Sequence, residues 1–139
     1  MKNEDMNEIM ELVNESESVI LGSVDEQGYP NAKAMMKIVH EGIRVFYFST
    51  FTSAIRTGQY MKNPIACIYM YRSAGKVCGL MLTGDMEVLT DAATKQKFWQ
   101  EDWKEYYPLG VTDPDYCILK FISKNGNYSC GETKLLFDI

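Results

Sequence analysis

Residues 44–64, RVFYFSTFTSAIRTGQYMKNP, set an aromatic, β-branched run directly ahead of a polar turn and a helical segment. The run Val45-Phe46-Tyr47-Phe48 favours an extended strand. Asn63 precedes a proline and is turned away from the α region, so the helix is predicted to end there. With Thr52 or Ser53 as its N-cap it is about three turns long and carries Arg56 one turn in. A strand that delivers the hydroxyls of Ser49 and Thr50, followed by a helix N-terminus and a cation, matches what a phosphate group requires. The first helical N–H groups lack intrahelical acceptors, and the helix dipole is positive at that end. A helix capped by its own hydroxyls, with Arg56 in solvent, reads the same way, and this window alone does not separate the two.

The strand in this window has a natural partner just upstream. From Asn31 to His40 the residues alternate, with Ala32, Ala34, Met36 and Ile38 on one face and Lys33, Met35, Lys37 and Val39 on the other. Glu41-Gly42 supplies a tight turn, which brings Lys33 towards the strand end at Thr50. Further upstream, Met6, Ile9, Met10 and Val13 fall at helical spacing, Asp5 and Glu8 resemble a capping box, and Ser18–Val24 is a β-prone run closed by the turn residues 25–30. Downstream, strands are predicted over 65–71 and 76–89, with Gly79 or Gly84 as bulge sites. A helical stretch opened by Asp91 follows, carrying Phe98, Trp99, Trp103, Tyr106 and Tyr107. Then come a turn at Asp113-Pro114-Asp115, a strand over 116–122, a hairpin at Lys124–Asn127 and a short last strand at 128–130. This order predicts a single α+β domain spanning residues 1–139, mainly β and built on an antiparallel barrel or sheet.

Composition bounds the function. The net charge of −5 argues against nonspecific nucleic-acid binding, yet residues 33–76 hold seven basic residues and one acid, a local +6 against −11 in the remainder. That asymmetry fits either a focused anion site or a solvated basic face. No apolar run is long enough for a membrane span, and the charged N-terminus does not resemble a secretory signal, so a cytoplasmic location is expected. The four cysteines form no CxxC pair and are read as reduced core residues. With His40 the single histidine, no metal set or serine triad is predicted, and no dinucleotide, P-loop or zinc-peptidase motif is present.

Taken in order, Gly28-x-Pro30-x-x-Lys33-x-Met35, Phe46-x-Phe48-x-Thr50-x-x-Ser53-x-x-Arg56, Asn63-Pro64, Gly84, Trp99 and Pro108-x-Gly110-x-x-Asp113-Pro114 resemble the FMN-binding split-barrel family. Within it the chain is similar to the general-stress-protein-26-like members of the pyridoxamine 5'-phosphate oxidase superfamily. The resemblance implies a six-stranded antiparallel split β-barrel with peripheral helices, forming a homodimer with FMN held between subunits. By position it implies cofactor contacts from Lys33, Ala34, Met35, Met36 and Ser49, phosphate contacts from Lys33, Thr50, Ser53 and Arg56, and approaches to the isoalloxazine from Met81, with Thr83 beside it, and from Trp99 or Trp103 of a partner subunit. It does not assign a catalytic side chain.

Two departures qualify what the resemblance implies. Lys33 stands where arginine is usual and cannot give the same bidentate grip. The chain ends at Leu135–Ile139 without the arginine- and histidine-bearing segment of true pyridoxamine 5'-phosphate oxidases, so vitamin B6 oxidase activity is not expected. The implied function is an FMN-dependent oxidoreductase that takes electrons from a reduced nicotinamide and acts on a small molecule. A deazaflavin in place of FMN, or a non-catalytic flavin or haem carrier or sensor, are the alternatives.

Overall fold

A computed structural model describes all 139 residues, Met1–Ile139. Helix α1 (Asn3–Glu15) buries Ile9, Leu12 and Val13 on one face, as its spacing predicts. Its N-cap is Lys2, with no side-chain cap, so the Asp5–Glu8 capping box does not form. Strand β1 (Ser18–Val24) alternates cleanly, turning Val19, Leu21 and Ser23 inward. The turn after it is held by Asp25, whose Oδ1 accepts from the backbone N–H groups of Gln27 and Tyr29.

Strands β2 (Pro30–Glu41), β3 (Val45–Phe51), β4 (Ile65–Arg72), β5 (Cys78–Leu89) and β6 (Tyr116–Cys130) complete the sheet. The order runs β3-β2-β1-β4-β5-β6, all antiparallel, and pairing of β3 with the first half of β6 closes it into a six-stranded barrel. A seventh strand, β7 (Thr133–Asp138), pairs with the second half of β6. Phe46, Phe48, Ile68, Leu80, Leu82 and Phe121 fill the interior with no exposed surface. Helix α2 (Ile55–Lys62) packs on β1 and β5, and helix α3 (Ala92–Phe98) starts at an Asp91 cap that accepts from Thr94 N–H. No helix is long and apolar enough to cross a membrane.

The barrel is split where a site is wanted. β2 pairs with β1 from Pro30 to Met36, but its other edge meets β3 only from Lys37 onward, across an irregularity between Lys37 and Val39. The segment 30–36 therefore presents an unpaired strand edge, which needs covering by a ligand, a partner or water. This half of β2 is almost wholly exposed.

Besides the missing capping box, three features depart from the sequence reading. The predicted hairpin at Lys124–Asn127 is a β-bulge inside one 15-residue strand. Opposite Gly84 and Thr83 lie Ser123 and Asn125, which leaves Lys124 as the extra residue. Gly126 serves there because its missing side chain makes room for a ring. A Cβ at that position would lie 2.3 Å from Phe137 Cζ. The chain reverses later, at Gly131, whose φ of 59° favours glycine. The helical stretch after Asp91 is also broken, ending as α3 at Phe98 and resuming as short 3-10 turns over Glu101–Glu105 and Gly110–Thr112.

The third departure concerns the cysteines. Cys78 and Cys130 face each other in the β5–β6 register, with Cα atoms 4.1 Å apart, and are joined by a disulfide. A separation of 52 residues hides that adjacency from the sequence. Cys67 and Cys117 remain free thiols. Closing a loop of this length stabilises a fold by roughly 2–4 kcal/mol. Thermal unfolding with and without a strong reductant should show that loss in the native protein, while a Cys78→Ala/Cys130→Ala variant should not respond to reductant.

Candidate functional site

The site begins where β3 runs out. Thr50 is buried at the strand end, and the turn through Phe51–Ala54 swings the chain into α2. Neither Thr52 nor Ser53 caps that helix, contrary to the sequence reading. The N-cap is Ala54, with no side-chain cap. The two hydroxyls are drawn instead to the segment before β6: Thr52 Oγ1 donates to Pro114 O at 3.1 Å, and Ser53 Oγ donates to Asp115 Oδ2 at 3.0 Å. The helix start is tied back to β3 by Thr57 Oγ1, which donates to Phe51 O at 2.7 Å.

Arg56 leaves this first turn and folds back onto the strand. Its Nη2 donates to Thr50 Oγ1 at 2.8 Å, so Thr50 orients the guanidinium. Its Nε is buried and has no partner. A buried, unsatisfied donor on a cation is costly unless an acceptor arrives. Arg56 and Lys33 line one groove of about 350 Å³, together with Ser23, Asn31, Ala54 and Gln59. Lys33 comes from the unpaired edge of β2 and Arg56 from the start of α2, so the groove lies at the split in the barrel. Two cations, an unpartnered guanidinium N–H and an uncapped helix start together make a candidate anion cradle, because each is a group that an anion can satisfy.

The remainder of the basic segment does not converge there. Lys62 pairs with Glu26, Arg72 with Glu15 at 2.6 Å, and Lys37 donates to Val13 O. Burial also pushes the Lys37 ammonium below the ordinary lysine range. Of the seven basic residues in the +6 stretch, three are thus engaged elsewhere, and Lys33 and Arg56 share the groove.

The other predicted residues divide between places. Ala34 and Met36 are exposed on β2, opposite Ile20 and Ser18 of β1, while Met35 is half-buried against the main core. Ser49 is half-buried on β3, opposite Ile118 of β6. Met81 and Thr83 line a second, more apolar groove of about 450 Å³ with Gly22 and Cys67. Ser23 borders both grooves, so they adjoin. Burial pushes the Cys67 thiol above its ordinary pKa. Trp99 lines neither groove. Its ring packs 5.3 Å from Tyr116 and 6.0 Å from Trp103, and its Nε1 donates to Glu101. In that cluster, burial pushes the Tyr116 phenol up to about 12. His40 stands at its turn with Nδ1 2.9 Å from Gly42 O, stacked on Phe46.

Three residues at the site escaped the sequence reading. Gln59 follows Arg56 by three positions, a spacing that places both on one helix face and was there to be used. Ser23, which donates to Gln59 Oε1, is one of the inward positions of β1. Asp115 was read only as part of a turn.

Similarity to known proteins covers the same ground. The model of the family described as pyridoxamine 5'-phosphate oxidase like matches residues 4–137. A Clostridium acetobutylicum protein related to general stress protein 26 of B. subtilis, of the pyridoxinephosphate oxidase family, is 40% identical over 100% of this chain and 97% of its own, with a TM-score of 0.88. General stress protein 26 from Bacillus anthracis is 20% identical over 96% of this chain and 98% of its own, with a TM-score of 0.77, and shares the fold. So does a heme binding protein from Mycobacterium smegmatis, 13% identical over 99% of this chain and 59% of its own, with a TM-score of 0.77. No curated protein sequence matches the chain.

Proposed function

The chain belongs to the pyridoxamine 5'-phosphate oxidase-like family, and from that premise we propose that it is an FMN-dependent oxidoreductase that draws electrons from a reduced nicotinamide and passes them to a small oxidant. The observation that carries the reading is the buried, unpartnered Nε of Arg56, set in a groove that Lys33 also lines. A phosphate monoester satisfies that donor and neutralises both cations.

When bound, the flavin supplies the redox chemistry. The protein's part is to bind and to orient. Arg56, held by Thr50, and Lys33 grip the phosphate, and the open edge of β2 over Lys33–Met36 offers backbone groups to the ring system. Ser53, already bonded to Asp115, contributes less to the phosphate than the family resemblance implies.

A homodimer completes this reading. Met36, Ile65, Tyr69 and Tyr71 lie exposed on the outer sheet surface, an apolar area suited to a second copy. Partner aromatics such as Trp99 would then approach the ring. Among alternatives, a haem carrier lacks a nearby histidine, because His40 is engaged with its own turn and lines neither groove.

The visible spectrum tests the proposal. The purified protein should carry flavin absorbance or acquire it when FMN is added, and NADH or NADPH should bleach it faster than free FMN. Absence of flavin uptake would sink the flavin reading, and uptake without nicotinamide-dependent bleaching would leave a binding or sensing protein.

A further inference from the structure

We infer that Asp115 is the positioning residue of the anion cradle, fixing from across the chain the turn that presents Arg56. The inference rests on the flavin-phosphate reading above and names a residue which that reading does not use. Helix α2 has alanine at its N-cap and no local side-chain cap. Its approach is held instead by a segment 62 residues away. Asp115 Oδ1 accepts from Ser53 N–H at 2.8 Å, Oδ2 accepts from Ser53 Oγ at 3.0 Å, and the Asp115 carbonyl accepts from Thr52 N–H at 2.8 Å. Both carboxylate oxygens and the backbone of one residue thus bind two consecutive residues of the turn.

Asp115 is itself held. Its N–H donates to Asp113 Oδ1 at 2.9 Å, and the other oxygen of that buried carboxylate accepts from Leu109 N–H at 3.1 Å. Lys95 of α3, also buried, donates to Asp113 O at 3.0 Å, and Tyr116 donates from its hydroxyl to Lys95 O at 2.8 Å. A continuous set of bonds therefore runs from α3 through Asp113 and Asp115 to the turn at Ser53, three residues before Arg56. The arrangement has a functional corollary. Geometry within about 0.5 Å decides how well a preorganised site works, and a carboxylate that grips the turn by two oxygens sets that geometry.

Because Asp115 carries a negative charge near an anion site, its role is separable from simple attraction. Removing a charge that only repelled phosphate would strengthen FMN binding, whereas removing a strut would weaken it. The experiment is equilibrium titration of FMN and of riboflavin, which lacks the phosphate, against the wild type, Asp115→Ala and Asp115→Asn. Asp115→Ala should weaken FMN about tenfold and change riboflavin by less than about twofold, the scale of one lost charge-assisted contact. Asp115→Asn keeps an acceptor for Ser53 N–H and should recover FMN affinity to within about threefold of wild type. A merely structural loss would weaken both ligands equally, without rescue by asparagine, and would overturn the inference. So would FMN affinity in Asp115→Ala that is unchanged or tighter. If Asp115→Ala does not fold, Ser53→Ala, which removes only the hydroxyl half of the clamp, must show a smaller loss confined to FMN, and an equal loss for riboflavin overturns the inference. Failure of wild type to bind FMN rejects the flavin reading itself, and the inference with it.

Discussion

Replacing Arg56 with alanine should lower FMN affinity by about 1.5–3 kcal/mol, roughly 10- to 150-fold, while leaving the fold intact. Arg56 is bonded to the protein through a single contact, Nη2 to Thr50 Oγ1, and its Nε has no protein partner. Truncation therefore costs the protein little and costs a bound phosphate a charge-assisted hydrogen bond. Lysine at this position restores charge without the planar fork, so Arg56→Lys should recover only part of the loss. Fluorescence quenching of FMN on titration gives each dissociation constant. Equal affinity in the wild type and both variants would place the phosphate elsewhere.

The largest effect on stability should come from the barrel interior, where Phe121→Ala should cost about 3–5 kcal/mol. Phe121 is fully buried on β6, the strand that closes the barrel, where it is paired with Phe46 across the closure and with Met86 on the other side. Its ring lies 6.4 Å from that of Phe46. A void there removes packing from both sides of the seam, and domains have only about 5–15 kcal/mol in total. The midpoint of thermal unfolding should fall by roughly 10–15 °C, followed by circular dichroism. A fall of only a few degrees would show that the seam carries little of the stability.

How much of this was legible depended on whether the signal was local. β1 and its turn were readable because the β-prone run and the turn residues 25–30 both lie within a few residues of what they determine. Gly84, read as a bulge site, does lie at the irregularity, but the extra residue is Lys124 on the facing strand; a Cβ at Gly84 would come within 2.0 Å of Ile122 O. Lys124–Asn127 misled because its glycine answers to a distant ring, Phe137, rather than to a turn. The Cys78–Cys130 pairing and the hold of Asp115 on Ser53 span 52 and 62 residues, and no local pattern reports either. Lys33, Thr50 and Arg56 were singled out from residue type and proximity in sequence, and the structure brings Lys33 and Arg56 to one groove with Thr50 bonded to Arg56. What the sequence withheld was that Thr50 orients Arg56 and that Ser53 is already engaged.

The most direct measurement is a crystal structure of the protein grown with FMN. The account predicts the phosphate within hydrogen-bonding distance of Arg56 Nε and Lys33 Nζ, in the groove at the split between β2 and α2, with the ring system along Lys33–Met36. FMN bound with its phosphate away from both residues, or no FMN bound at all, would contradict it.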